Sequence, residues 1–60
     1  MHPNQLTPEI VYHYTPRDEE PIKLKYWYEQ LNYWSFTTVD EIERIVLLHS
    51  IQVINNITKI

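Results

Sequence analysis

The segment that most constrains the fold is residues 22–28, "IKLKYWY", in which apolar and polar side chains alternate. A period of two residues with one apolar side predicts a half-buried β-strand. The inward set is Ile22, Leu24, Tyr26 and Tyr28, and the outward set is Lys23, Lys25 and Trp27. The sequence therefore predicts a sheet protein in which Trp27 points away from the core, beside the lysines.

A second strand is predicted over "EIVYHY", residues 9–14, because this segment is rich in β-branched and aromatic side chains. Between the two strands, Pro16 and Pro21 bracket an acidic segment. Proline is excluded from central strands, so we expect an exposed loop there and a β-hairpin around it. Residues 1–8 contain two prolines and no periodicity, and they are predicted to form a flexible arm.

The next segment, "EQLNYWSF" at residues 29–36, is compatible with a third strand or with one helical turn. We favour extended chain. After it, Thr38 is followed three residues later by Glu41, which is the spacing of a helix capping box. This predicts a helix from near Val39 to about Ser50, extending to Ile54 unless residues 50–54 form a short strand.

These elements predict one domain over residues 1–60 with an α+β fold. Its architecture is an antiparallel β-hairpin or three-stranded sheet packed against one C-terminal α-helix. The predicted helix has a second apolar patch outside its main stripe, formed by Leu47, Leu48 and Ile51. Because exposed apolar patches mark interfaces, we expect a homodimer through these residues, or packing of this helix on a partner. The alternative is that the N-terminal arm covers Leu47 and Ile51.

Composition argues against several classes of function. The chain has no cysteine for thiolate metal sites and no glycine for a phosphate-binding loop. Its three histidines lack the spacing of metal ligands, and its serines lack a nucleophile motif. We therefore expect no enzyme activity, no metal and no cofactor. Without a signal peptide or a long apolar run, the chain is expected to be soluble and cytoplasmic.

Aromatic residues suggest that the chain binds another protein. Six of the eight aromatic residues lie in residues 26–36, more than one small core requires. Trp and Tyr dominate binding hot spots, so Trp27 and Tyr33 are candidate contact residues. A formal net charge of −3 argues against nucleic acid as the partner. The alternative is a dimeric nucleic-acid-binding protein that uses Lys23, Lys25 and Trp27.

Three short motifs carry a resemblance to a known family: "DEE" at 18–20, "YWY" at 26–28 and "TVDEI" at 38–42. With the strand and helix order, they resemble the small acidic phage proteins that inhibit uracil-DNA glycosylase. The resemblance implies a homodimer that mimics DNA and binds a DNA-repair enzyme. It assigns phosphate mimicry to Asp18, Glu19, Glu20 and Glu29, and it places Trp27 and Phe36 near a pocket for an apolar residue of the enzyme. Lys23 and Lys25 depart from the family's negative character.

Overall fold

The computed structural model describes residues 1–60, and its central element is a five-stranded antiparallel sheet. The strands are β1 (Val11–Tyr14), β2 (Ile22–Gln30), β3 (Tyr33–Thr38), β4 (Ile45–Leu48) and β5 (Ile57–Lys59). They lie in the order β4-β3-β2-β1-β5, so β4 and β5 form the two edges. A short 3₁₀ helix covers Pro3–Gln5, and one α-helix, α1, covers Ser50–Asn56. The α+β fold of a sheet packed against one C-terminal helix is confirmed.

The predicted hairpin is formed by β1 and β2, which pair antiparallel from Val11 opposite Lys25 to Tyr14 opposite Ile22. The proline-bracketed loop connects them. Asp18 adopts a left-handed conformation in this loop, with φ 61°, a role that aspartate fills more readily than most residues in a chain without glycine. The segment after β2 forms the third strand, through a two-residue connection at Leu31 and Asn32.

Ile22, predicted to point inward, is 44% exposed, and the alternation predicted for β2 then holds as far as Trp27. Leu24 and Tyr26 are buried, and Trp27 is exposed, as predicted. The pairing shifts between Tyr26 and Tyr28, so that Trp27 is an extra residue in a β-bulge against β3. A bulge displaces the side chains that follow it, and Tyr28 is 41% exposed. The prediction that Tyr28 points into the core was wrong for this reason.

One hydrophobic cluster holds the domain together. It consists of Tyr12, Leu24, Tyr26, Phe36, Leu48, Val53 and Ile57. Phe36 is fully buried at its centre, and its ring lies 5.3 Å from that of Tyr26. Val53 brings α1 against this side of the sheet. The helix therefore covers one face of the sheet, and the chain reaches the far edge strand β5 after it.

The helix predicted from Val39 to Ser50 was wrong. Residues 39–44 form a loop, and the apolar run from Ile45 to Leu48 pairs with β3. The Thr38 hydroxyl lies 2.9 Å from Asp40 Oδ1 and accepts a hydrogen bond from the Arg44 N–H, so it closes this loop instead of capping a helix. The real helix begins after His49, whose N–H donates to Gln52 Oε1 at 2.8 Å. Residues 50–54 are thus helical, and the competing strand interpretation was also wrong.

The N-terminal segment is anchored, although the sequence predicted a flexible arm. The Met1 ammonium donates to the carbonyl of Ile54 at 2.8 Å and to that of Ile57 at 3.1 Å. A positive charge is stabilising at a helix C-terminus, where carbonyls lack partners. Leu6 packs against the core cluster. The segment therefore extends the covered face of the sheet and leaves Ile51 68% exposed.

Candidate functional site

The candidate site lies on the sheet face that neither α1 nor the N-terminal segment covers, which we call the open face. Paired residues on neighbouring strands point to the same side of a sheet. One row of the open face is formed by Val11, Lys25, Thr37 and Ile45, and a second row is formed by Tyr28, Ser35 and Leu47. The core residues Tyr26 and Phe36 belong to the alternating rows of the opposite face.

Five large apolar side chains are exposed on this face. We call them the apolar patch: Trp27, Tyr28, Tyr33, Ile45 and Leu47, which are 39% to 62% exposed. The bulge places Trp27 and Tyr28 next to each other, with ring centroids 4.6 Å apart in an edge-on arrangement. Tyr33 stacks against His49 at 4.5 Å. The rings are thus held by contacts within the chain while a large part of each stays accessible.

Two hydroxyl groups lie buried between these side chains. Ser35 and Thr37 are 1% and 9% exposed, and neither hydroxyl oxygen has a hydrogen-bond partner. A buried polar group without a partner costs about 1–3 kcal/mol. The middle of the open face is therefore less stable than an all-apolar surface of the same shape would be.

A groove of about 340 Å³ borders the apolar patch. Trp27, Thr37 and Ile45 line it together with charged side chains from the loops. On one wall, Lys25 Nζ lies 3.6 Å from the carboxylate of Glu9. Glu9 has a positive φ of 72° and is held there by its N–H, which donates to the Tyr26 carbonyl at 2.9 Å. The groove thus has an apolar floor and a partly charged rim.

Carboxylates collect at one end of the sheet. Because β1 and β3 run in the same direction, the loops that follow them, residues 15–21 and 39–44, lie at the same end. We call this the acidic end, and its carboxylates are Asp18, Glu19, Glu20, Asp40, Glu41 and Glu43. Arg17 and Arg44 pair with Asp18 and Asp40 at 4.0 and 3.5 Å. The four glutamates there make no ion pair, and the carboxylates of these two loops outnumber their two arginines.

The predicted contact residues fall in separate places. Asp18, Glu19 and Glu20 are exposed at the acidic end, whereas Glu29 lies near the other end of β2. At ~3.3 Å per residue, about 20 Å of strand separates Glu29 from Ile22, where β2 begins. Trp27 and Tyr33 belong to the apolar patch. The three predicted acidic loop residues therefore stand together, and Glu29 stands apart from them.

Phe36 and Leu48 are not available to a partner. Phe36 is fully buried and Leu48 is 2% exposed, both within the core cluster. Their assignment to contact surfaces is corrected, because β3 and β4 alternate and turn these two side chains toward α1. Leu47 points the other way and is 49% exposed. Ile51 is exposed on α1, on the covered side of the sheet.

Sequence reasoning missed three parts of the site. Tyr28 was predicted to lie in the core, because the apolar–polar alternation continues through it and does not indicate a bulge. Ile45 fell within the predicted helix, and the hydroxyls of Ser35 and Thr37 were given no role. One available indication was the length of the apolar run at 45–48, which is typical of a short buried strand as well as of a helix.

Tyr26 is a buried phenol whose pKa depends on the fold. Burial raises the pKa of its phenol above 10.0, and the charges of Glu29 and Tyr12 raise it further. The phenol thus stays neutral in the core. No group of three or more histidine, cysteine or carboxylate residues is arranged to hold a metal ion.

Comparison of the chain with protein-family models, with curated proteins and with solved structures found no match. The chain contains no helix with the length and apolar character needed to cross a membrane. The features that bear on function are therefore the apolar patch, the groove beside it and the acidic end.

Proposed function

We propose that this chain is a small non-catalytic protein-binding module, acting as an inhibitor or adaptor, and that the apolar patch contacts its partner. The observation that supports it is that five exposed apolar side chains share the one uncovered face of the sheet. Exposed apolar patches are typical of protein–protein interfaces. Trp27 supplies the residue type with the greatest weight in binding hot spots.

The class of partner that we propose is a DNA-acting enzyme, such as the host's uracil-DNA glycosylase. Two features support this choice: the resemblance of the sequence motifs and the gathering of six carboxylates at one end of the sheet. Enzymes that bind DNA present cations to its phosphates. Asp18, Glu19 and Glu20 would meet those cations while the apolar patch binds an apolar side chain of the enzyme. A cytoplasmic protein encoded by a phage or mobile element would suit this role.

A uracil-excision assay tests the proposed enzyme. The glycosylase is titrated with the wild-type chain, with Trp27→Ala and with Ile54→Ala. Ile54 is the control because it is 48% exposed but lies on α1, outside the apolar patch. We expect wild type and the control to inhibit equally and Trp27→Ala to inhibit about thirtyfold less, the effect of a hot-spot residue worth about 2 kcal/mol.

Undiminished excision at excess wild-type protein would reject the glycosylase as the target. Equal loss of inhibition in Trp27→Ala and Ile54→Ala would reject the apolar patch as the contact surface. A triple change of Asp18, Glu19 and Glu20 to the corresponding amides separates the acidic contribution. Its effect should shrink as salt is added, because exposed charges are screened.

The alternative function is nucleic-acid binding through the groove. The observation that favours it is that Lys25 and Trp27 line the same groove, which is how a cation and a stacking ring are combined in single-strand binding. Lys25 is however paired with Glu9. Titration of labelled single-stranded and double-stranded DNA at several salt concentrations decides between the two. Tight binding that salt weakens steeply would favour this alternative over the inhibitor.

A further inference from the structure

We propose that the chain forms a two-fold symmetric dimer in which β4 pairs antiparallel with β4 of a second copy. The two five-stranded sheets then join into one ten-stranded sheet. The two edges of the sheet differ in how they are protected from pairing with another chain. Exposed edge strands usually carry charges, prolines or bulges that prevent pairing with another chain. β5 has only three residues and includes Lys59, whereas β4 reads Ile45-Val46-Leu47-Leu48 and has none of these features.

The backbone of β4 has unpaired groups that point outward. The Thr38 N–H donates to the Arg44 carbonyl at 2.9 Å, which shows that the Arg44 backbone faces β3. Along an antiparallel strand, successive residues alternate between facing one neighbour and facing the other. The backbone N–H and C=O groups of Val46 and Leu48 therefore also face β3. The amides and carbonyls of Ile45 and Leu47 face away from it, toward the vacant side of the edge.

One register lets a second copy satisfy these groups. Side chains that face each other across a ladder must point to the same side of the sheet. With the two-fold axis at Val46, Ile45 lies opposite Leu47 of the second copy and Leu47 lies opposite Ile45 of the second copy. Each such pair exchanges backbone hydrogen bonds, so the free donors and acceptors are used reciprocally. The same pairing covers the exposed sides of Ile45 and Leu47, which are 62% and 49% exposed.

The residues that flank β4 are compatible with this register. Glu43 comes opposite His49 of the second copy, and Arg44 comes opposite Leu48 of the second copy. Like charges directly opposite each other would destabilise the pairing. In this register no like charges face each other across the two-fold axis. A self-complementary strand of this kind meets the requirement of an isologous interface, in which the same surface serves both subunits.

The dimer would place the two apolar patches side by side on one continuous open face. Of the three residues predicted for a dimer interface, Leu47 takes part through its side chain and its backbone. Leu48 contributes only as a member of β4, since its side chain is buried in the core. Ile51 lies on α1 and has no part in the pairing.

Backbone methylation at the β4 edge is the sharpest test, because a chain of 60 residues is accessible to chemical synthesis. N-methylation of the Leu47 amide removes an outward-facing donor and keeps every side chain. N-methylation of the Lys59 amide is the matched control. The Thr15 N–H donates to the Asn56 carbonyl, so Asn56 faces β1 and the Lys59 amide, three residues on, faces outward at the β5 edge.

Analytical ultracentrifugation over a wide range of protein concentration provides the measurement. We expect wild type and the Lys59 control to dimerise equally. The Leu47 variant should dimerise about thirtyfold more weakly, since two symmetry-related hydrogen bonds are lost, each worth about 1 kcal/mol. Circular dichroism checks that all three chains fold. A monomeric wild type, or equal weakening by the two methyl groups, would overturn the proposal.

Hydrogen exchange on the wild-type chain tests the same point without any variant. The Ile45 and Leu47 amides should exchange more slowly at high than at low protein concentration, because pairing protects them. The Lys59 amide should exchange at the same rate at both concentrations. Rates for Ile45 and Leu47 that do not depend on concentration would contradict pairing through β4.

Discussion

On the covered face of the sheet, Val53 of α1 packs onto the row that contains Tyr26 and Phe36. On the open face, the neighbouring row of Tyr28, Ser35 and Leu47 has no layer above it. The residue types are similar, since both rows carry an aromatic ring and an aliphatic side chain. What differs is the covering element, because one seven-residue helix is available to shield one face only. The open face therefore keeps exposed apolar surface that a binding partner could bury.

The largest expected difference between the faces is in stability. Phe36→Ala should lower the free energy of unfolding by about 3–5 kcal/mol, because it leaves a cavity in the core. At protein concentrations where the chain is monomeric, Leu47→Ala should lower it by about 0.5 kcal/mol or less, because Leu47 is half exposed. Urea unfolding followed by circular dichroism measures both. Similar losses in the two variants would show that the open face is packed as tightly as the core, and the comparison would fail.

A smaller effect is expected from two adjacent threonines. Thr37→Val removes a buried hydroxyl without a partner on the open face, and should raise the free energy of unfolding by about 1 kcal/mol. Thr38→Val removes the hydroxyl that accepts from the Arg44 N–H at 2.9 Å, and should lower it by about 1 kcal/mol. The same unfolding experiment applies. A destabilised Thr37→Val would show that its hydroxyl is well accommodated.

The smallest effect concerns the dependence of stability on pH. Burial raises the pKa of Tyr26 in the folded chain, and a tyrosine in the unfolded chain ionises near pH ~10. Below that pH the phenol is neutral in both states. Above it, ionisation favours the unfolded chain, so stability should fall as pH rises. Tyr26→Phe should show a shallower fall than wild type as the pH rises above about 10. If stability fell equally with pH in the two chains, the raised pKa of Tyr26 would be contradicted.

The parts of the fold that could be predicted from the sequence are the strand β2, the β1–β2 hairpin and the fold class. The alternation of β2 predicted a strand with Leu24 and Tyr26 inside and Trp27 outside. This works because successive side chains of a strand point to opposite faces of the sheet. The hairpin followed from the proline-bracketed loop. The α+β fold class was also predicted, although the edge strand β4 was predicted to be part of a helix.

The errors have a common physical origin in contacts between distant parts of the chain. Thr38 satisfies a helix-capping pattern locally, but its hydroxyl closes the loop to Arg44 because β4 has a pairing partner in β3. The bulge at Trp27 depends on the register of β2 against β3 and turns Tyr28 outward. The exposure of Trp27 could thus be predicted from the sequence, whereas the exposed side chains around it could not.

The most direct test of the central claim is a comparison of partner binding by three chains. Immobilised wild type, Trp27→Ala and Ile54→Ala are exposed to the same bacterial lysate. The protein that wild type retains is then purified, and its affinity for each chain is measured. If the open face binds the partner, wild type and Ile54→Ala will bind it equally, and Trp27→Ala about thirtyfold more weakly. Unchanged affinity for Trp27→Ala, or an equal loss in both variants, would contradict the account.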